Sequence, residues 1–600
     1  MKKDIVSLSI IGVIILLFCL PFLVNIRNIY FEQQWLDNCS FQAFARKSIL
    51  EFKQFPLWSP YFGGGYPFEG HPESLSLSPF IIPILIFGEW IGYKIFFLIG
   101  YLLGGVGMFY LARKGFNYNL PGAIFSALLF TLTSFFPYHL HSGNFYIANF
   151  FYFPILLLFF IKAKDDNRAL FLSSMILAFL IFNGMALYWL TAVLFLALSV
   201  ILKSVTIKQK NISFEPGYLK RWMIMMILAL LIASVKIFPL AEVITKNPRA
   251  IEDYNIAAAF SVNFNNLYLS LFSKGPFMKP MDWFPDGNYA DSVMYMGFIP
   301  VVLCLVSFWV YRKQKDIKVF FILLIVFAML SLGKNSPVDI FRALWRLPLF
   351  HSMHDPNRYF SFYIMFILAL IAGKVFNYLR ERNRLINAAV IILAILSIND
   401  MFWANRKYQE NLFKSPLPSL TAEKTFYQIK NYDSYNYPKG MISLNKDHYQ
   451  YFWLLRGLGK IDWVCDLNLG EYATSKFYIS EVSDEKKVNP DYKGEVYFLG
   501  KDNKAELISF SPNKIIIDVD IKQPDNLIIN QNYSNYWKSD HSLVKDFHGL
   551  ISIPLEKSGS HRISLFYHPL SFYAGLAVSL VSLAIALAAL KKEKNKCGTL

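Results

Sequence analysis

Apolar residues in this chain gather in unbroken runs separated by short polar stretches. Several runs, such as Ile5–Leu23, Met223–Leu240 and Ser571–Leu590, reach the length of about 20 mostly apolar residues that a helix needs to cross hydrocarbon. Backbone facing lipid must satisfy its polar groups internally, so the runs predict helices. Alternating them across a membrane gives about twelve spans: Ile5–Leu23, Phe80–Ala112, Leu120–Leu140, Phe145–Ile161, Leu170–Ile181, Tyr188–Leu202, Trp222–Leu240, Ser292–Tyr311, Val319–Leu332, Tyr359–Asn377, Leu385–Ile398 and Ser571–Leu590. The second is long enough to include an interfacial piece. Three polar loops fall on the outer side: 25–77, 242–290 and 333–355.

The pattern changes after residue 400. From Phe402 to Ser564 no run is long enough to cross a membrane, and Lys514–Ile521 carries the β-branched sequence of a strand. Asn526–Asn530 and His561–Tyr567 read similarly, with turn residues Pro524-Asp525 and Ser558-Gly559 between them. The expected fold is an α-helical multi-pass membrane protein with a small β-sandwich-like domain before its last helix. Residues 1–400 form the membrane module, 401–567 the β domain, and 568–600 the final span and a basic tail.

Composition agrees: 55% of residues are hydrophobic and 17% charged. The net charge of +17 would suit nucleic acid if it formed one patch. Its lysines and arginines instead cluster at alternate ends of successive spans, as in Lys203–Arg221, Arg312–Lys318 and Lys591–Lys596. That is the positive-inside pattern, which excludes nucleic acid as the partner and puts both termini on the cytoplasmic side. The five cysteines form no CxxC pair, and a Cys39–Cys465 disulfide stays open.

Candidate chemistry concentrates in the first outer loop, which carries Asp37, Glu69, His71 and Glu73. Asp37 lies on a segment, Trp35–Leu50, with helical spacing of apolar residues. It is either a base for an acceptor hydroxyl, or a helix N-cap or solvated charge. Gly63-Gly64-Gly65 lacks the context of a phosphate loop. It reads as a turn of positive φ that folds the loop back and brings Glu69, His71 and Glu73 toward Asp37. His71 and Glu73 are too few to define a metal site. On the same side Lys236, Arg249 and Arg358 are cations that topology does not explain. Arg358 opens a helix, where the dipole disfavours it, so it meets either a phosphate or Asp355. Tyr61, Phe62, Tyr66, Trp283, Tyr289 and Trp345 form either sugar platforms or an interfacial belt.

Several segments resemble the YfhO-like family of bacterial membrane proteins, grouped with the GT-C glycosyltransferases. They are Asp37 with Gln42, Pro56-Leu57-Trp58-Ser59-Pro60, Gly64-Gly65-Tyr66-Pro67, His141-Ser142-Gly143-Asn144, Asn247-Pro248-Arg249, Tyr295-Met296-Gly297, Asp355-Pro356-Asn357-Arg358-Tyr359 and Asn532-Tyr533-Ser534-Asn535-Tyr536-Trp537-Lys538. His354, Ser59 and Glu73 depart from the family pattern. The resemblance implies an inverting transferase on the outer face of a bacterial cytoplasmic membrane. Its donor would be a polyprenyl-phosphate-linked sugar and its acceptor an envelope glycan, teichoic acid or glycolipid, with no cofactor. Asp37 matches the family's first-loop acid, with Glu73 as a second candidate catalytic residue. Arg249 and Arg358 match its basic positions, and Lys236, His71, Glu69, Gln42 and Tyr66 complete the expected binding set. Two alternatives are carried forward: a transporter of lipid-linked saccharides, and a non-catalytic glycan-assembly protein.

Overall fold

The computed structural model describes residues 2–184, 186–208, 211–248, 253–259, 261–274, 293–379, 384–410, 412–431, 450–463, 470–479 and 486–597. Among them, nine helices are long and apolar enough to cross a membrane, and the bent pair Pro216–Ile232 and Ser234–Lys246 makes a tenth. Two shorter apolar helices, Asn167–Phe182 and Phe298–Val310, lie where the fifth and eighth spans are expected. The helix Pro356–Ala372 runs through the middle of the bundle, and nearly all its side chains are buried. Phe362 on this helix stacks on Phe150 at 3.9 Å.

The boundaries differ from expectation where the backbone breaks. Gly88, at φ 86°, splits the second run into Ile81–Phe87 and Glu89–Tyr110. The fourth begins as a 3-10 turn, Phe145–Tyr152, and turns α-helical at Phe153. The seventh is not one straight span: it bends by 78° between Ile232 and Ser234. Just past the bend, the Val235 N–H donates to Ser579 Oγ of the final helix, Leu570–Cys597, at 2.9 Å. Lys236 therefore sits beyond the bend, beneath the first loop. The helix Arg384–Glu410 continues well past Ile398 because Met401, Asn405 and Tyr408 extend its buried face. The Tyr408 ring meets Tyr138 at 5.3 Å.

Two four-stranded antiparallel sheets make up the β-rich domain. One has the order Lys504–Ser511, Lys514–Ile521, Gly559–Tyr567, Trp537–Ser539; the other Lys545–Phe547, Leu550–Leu555, Asp525–Asn532, Val496–Phe498. Alternate residues point inward, as strands require. Ile515, Ile517 and Val519 of one sheet share a core with Leu527, Ile529, Ile551 and Ile553 of the other. A third sheet pairs Gln428–Asn431 in parallel with Gly459–Lys460 and Phe477–Ile479.

The first outer loop is built into this domain. Trp58 belongs to the sandwich core and packs against Trp537 at 5.6 Å and Tyr567 at 5.0 Å. Asn513 donates to the Phe55 carbonyl at 2.7 Å and accepts from the Trp58 N–H at 3.1 Å. Asn532 Nδ2 donates to the carbonyls of Gly63 at 2.8 Å and Gly65 at 3.0 Å. The glycine turn is as the sequence predicts: all three residues have positive φ. A Cβ on Gly65 would lie 2.6 Å from the Trp58 ring, so only glycine lets the loop and the strand meet.

Candidate functional site

The helix Gln33–Leu50 carries Asp37, and the predicted segment Trp35–Leu50 falls inside it. Its N-cap is Glu32, whose carboxyl accepts from the Trp35 N–H at 3.2 Å. Asp37 is thus an internal helix residue, and the capping alternative does not hold. Burial pushes the Glu32 carboxyl up to about 7, opposed by the Trp35 hydrogen bond and reinforced by the negative charge of Asp37.

One turn further, Asn38 and Gln42 face the interior. Gln42 Nε2 donates to the Glu73 carbonyl at 3.2 Å, and its Oε1 accepts from the Leu75 N–H at 3.3 Å. This fixes the segment after the glycine turn against the acid-bearing helix. The Tyr146 hydroxyl donates to Asn38 Oδ1 and contacts the Glu73 carboxyl. His71 sits among Phe41, Tyr66, Phe68 and Trp463, with Phe41 only 4.2 Å away. Its Nδ1 accepts from the Glu73 N–H at 3.1 Å, so the neutral ring carries its proton on Nε2. Burial, with the Lys236 charge nearby, holds His71 well below its ordinary range.

Lys236 is 2% exposed and donates to the carbonyls of His71 and Ser74, beside Glu69 and Glu73. These hydrogen bonds hold the loop. Glu69 sits on the turn Phe68–Gly70 and accepts from the Tyr567 hydroxyl at 3.2 Å. Burial raises its carboxyl to about 8. Glu69, His71, Glu73, Gln42, Tyr66 and Lys236 thus form one cluster.

Arg358 stands at the other side, 3.7 Å from Asp355 Oδ2. His354 Nδ1 lies closer to that same oxygen, at 2.6 Å. The Asp355 alternative is therefore realised as a long ion pair, with the nearer place taken by His354. Phe135 packs on Phe362 of the Arg358 helix at 5.7 Å, and the buried His139 follows one turn later. The turn that follows His139 meets the acid helix. Trp35 Nε1 donates to the Leu140 carbonyl at 2.8 Å, and Gly143, at φ 72°, lies under Glu32. Asn144 accepts from the Tyr188 hydroxyl at 3.2 Å, and the Tyr188 ring faces Tyr359 at 5.1 Å. The end of the helix bearing Asp37 and the end of the helix bearing Arg358 therefore flank one turn, residues 139–144.

Arg249, Trp283, Tyr289 and Cys465 lie outside the described residues, while Cys39 is a buried free thiol. Among the described residues no group of three or more His, Cys, Asp or Glu side chains is arranged to hold a metal. Sequence reasoning passed over Glu32, His139, Tyr146 and Tyr188. For Glu32 a signal was present: an acid just before a segment with helical spacing of apolar residues is an N-cap pattern. The others read as ordinary span residues.

The fold defines a multi-pass helical membrane protein carrying a β-rich domain. No protein-family model and no curated protein matches the chain. Solved structures share its shape distantly. The Archaeoglobus fulgidus oligosaccharyltransferase in complex with zinc and sulfate aligns at 12% identity and TM-score 0.44, over 76% of this chain and 62% of that one. The mycobacterial arabinofuranosyltransferase AftD aligns at 13% and 0.40, over 71% of this chain and 30% of its own. ArnT from Cupriavidus metallidurans bound to undecaprenyl phosphate aligns at 10% and 0.38, over 76% and 85%. The chain thus spans less than two thirds of the first two.

Proposed function

We propose that the protein is a membrane glycosyltransferase. It moves a sugar from a polyprenyl-phosphate donor to an envelope glycan, teichoic acid or glycolipid at the outer face of a bacterial cytoplasmic membrane. The observation that carries this reading is the shared turn: the Glu32-capped end of the Asp37 helix packs on residues 140–143, and the helix of Arg358 reaches Asn144 through Tyr359 and Tyr188. A sugar phosphodiester needs both chemistries at once. Asp37 takes the proton of the acceptor hydroxyl as that oxygen attacks the anomeric carbon from the face opposite the phosphate. The bond from the anomeric carbon to the phosphate oxygen breaks, and its electron pair leaves with polyprenyl phosphate. Arg358 offers a fork of donors to the charge that develops there. Gln42 and Lys236 act as positioning residues, since both hold the 71–75 segment against the acid helix. Glu73 lines the same face.

The test is sugar transfer from a polyprenyl-phosphate-linked sugar in membrane vesicles. Asp37→Asn, expressed and folded as wild type, is expected to lose about 10²–10⁴-fold in rate. Wild-type transfer by that variant would remove Asp37 as the base.

One feature favours a second reading, transport of a lipid-linked saccharide. The span broken by 78° beside the buried Lys236 is of the kind carriers use at a binding site. Substrate-dependent flux in proteoliposomes without a covalent product would select it.

A further inference from the structure

A cavity of about 320 Å³ opens between the first loop, the outer segment Ser234–Lys246 and the β-rich domain. It lies at the small end of the range for ligand sites. Its walls alternate two kinds of group. Trp58, Tyr66, Tyr472, Tyr536 and Tyr567 supply aromatic surface, while Asn532 and Asn535 supply amides. Rings that pack against C–H faces, beside amides that meet hydroxyls, suit a molecule with an apolar face and a polar edge, as a pyranose has.

Charge excludes a phosphate. Lys246 is the lysine of the wall, and it is paired with Glu242 at 2.6 Å. Glu242 also accepts from the Tyr536 hydroxyl at 3.0 Å. With Glu69 also lining the space, the wall holds no surplus of positive charge.

Glu69 points to a missing partner. It is 7% exposed, and its Oε1 takes the Tyr567 hydroxyl, while its Oε2 has no hydrogen-bond partner among the described residues. Leaving a buried polar atom unmatched is costly, and a ligand hydroxyl would supply the missing partner. With its carboxyl raised to about 8, Glu69 is protonated at neutral pH and donates as well as accepts.

We propose that this cavity seats a short neutral saccharide, the acceptor of the transfer reaction, held by Glu69, Asn535 and the Tyr472 ring. The acceptor role rests on the transferase reading; the saccharide seat does not. The same loop strip that presents Glu69 to the cavity continues through His71 to Glu73 beside the acid helix. A saccharide chain leaving the cavity along that strip would bring a hydroxyl toward Asp37.

The experiment is saturation-transfer NMR on the full-length chain in nanodiscs. Neutral trisaccharides of glucose, galactose and N-acetylglucosamine are the probes. At least one is expected to bind saturably. Tyr472→Ala, at a 56% exposed side chain, is expected to weaken it by at least tenfold without changing the melting temperature. Wild-type binding should fall as Glu69 ionises above about pH 8, and Glu69→Gln should bind with no such fall. No saturable binding by any probe would overturn the proposal, as would binding indifferent to both Tyr472→Ala and Asn535→Ala. Saccharide binding together with full transfer by Asp37→Asn would uphold the seat and remove the base assignment.

Discussion

The indole nitrogen of Trp35 donates to the carbonyl oxygen of Leu140 at 2.8 Å, and this bond ties the helix of Asp37 to the turn 139–144. Trp35 is otherwise enclosed by Trp90, Phe145 and Phe413. Trp35→Phe keeps most of that packing and removes the donor. It is expected to destabilise the protein by about 1–2 kcal/mol and to lower transfer several-fold. Thermal melts and transfer rates on the same preparation check this.

Arg358 is proposed to act through its fork as well as its charge. Arg358→Gln is expected to cost about 10²–10³ in kcat/KM for the lipid-linked donor. Arg358→Lys, which keeps the charge and loses bidentate geometry, should recover part of it. The measurement is donor titration in vesicles. Equal loss in both variants would show that geometry alone matters, and no loss in either would take Arg358 out of the site.

Two glycines of one turn give a graded comparison. A Cβ on Gly63, at φ 60°, would meet nothing closer than the Trp463 ring at 3.7 Å. One on Gly65, at φ 119°, would also press on Trp58 at 2.6 Å and Gln531 Oε1 at 2.8 Å. Gly63→Ala should therefore cost about 1–2 kcal/mol, the penalty of a left-handed backbone alone. Gly65→Ala should cost more and loosen the β-rich domain from the loop, read as faster proteolysis between residues 410 and 500.

Alkaline sensitivity follows from buried acids. Burial raises Glu495 from 4.5 to about 8, against hydrogen bonds from the Gln428 N–H, Tyr492 and Asn530. The fold favours its neutral form, so its stabilising contribution is complete below about pH 4.5 and lost as pH rises through about 8. Glu69 has the same sign over the same window. The melting temperature of the purified protein should fall between these limits, and Glu495→Gln should flatten that fall.

Much of the architecture was legible because a membrane imposes it. Each expected apolar run contains helix, since lipid leaves the backbone no other choice, although the eighth turns helical only at Phe298. Breaks inside runs were not legible. The bend before Ser234 is accommodated by Ser579 of a distant helix, which no local period reveals. Motifs were legible as separate marks and not as partners. Trp58 and Gly63–Gly65 read as loop features, and Asn532-Tyr533 as part of a separate β-domain motif, yet they form one joint because Asn532 closes the glycine turn. Lys236 read as a cation for substrate, and its nearest partners are loop carbonyls. Glu32 escaped notice because its burial comes from Gly143, on a turn far along the chain.

Asp37 and Arg358 are proposed to serve one site across the 139–144 turn. A structure of the full-length chain with polyprenyl phosphate bound tests it most directly. Phosphate oxygens are expected within hydrogen-bonding distance of the Arg358 guanidinium, on the side of the turn that the Asp37 helix meets. A phosphate bound elsewhere, out of reach of the Arg358 guanidinium, would contradict it.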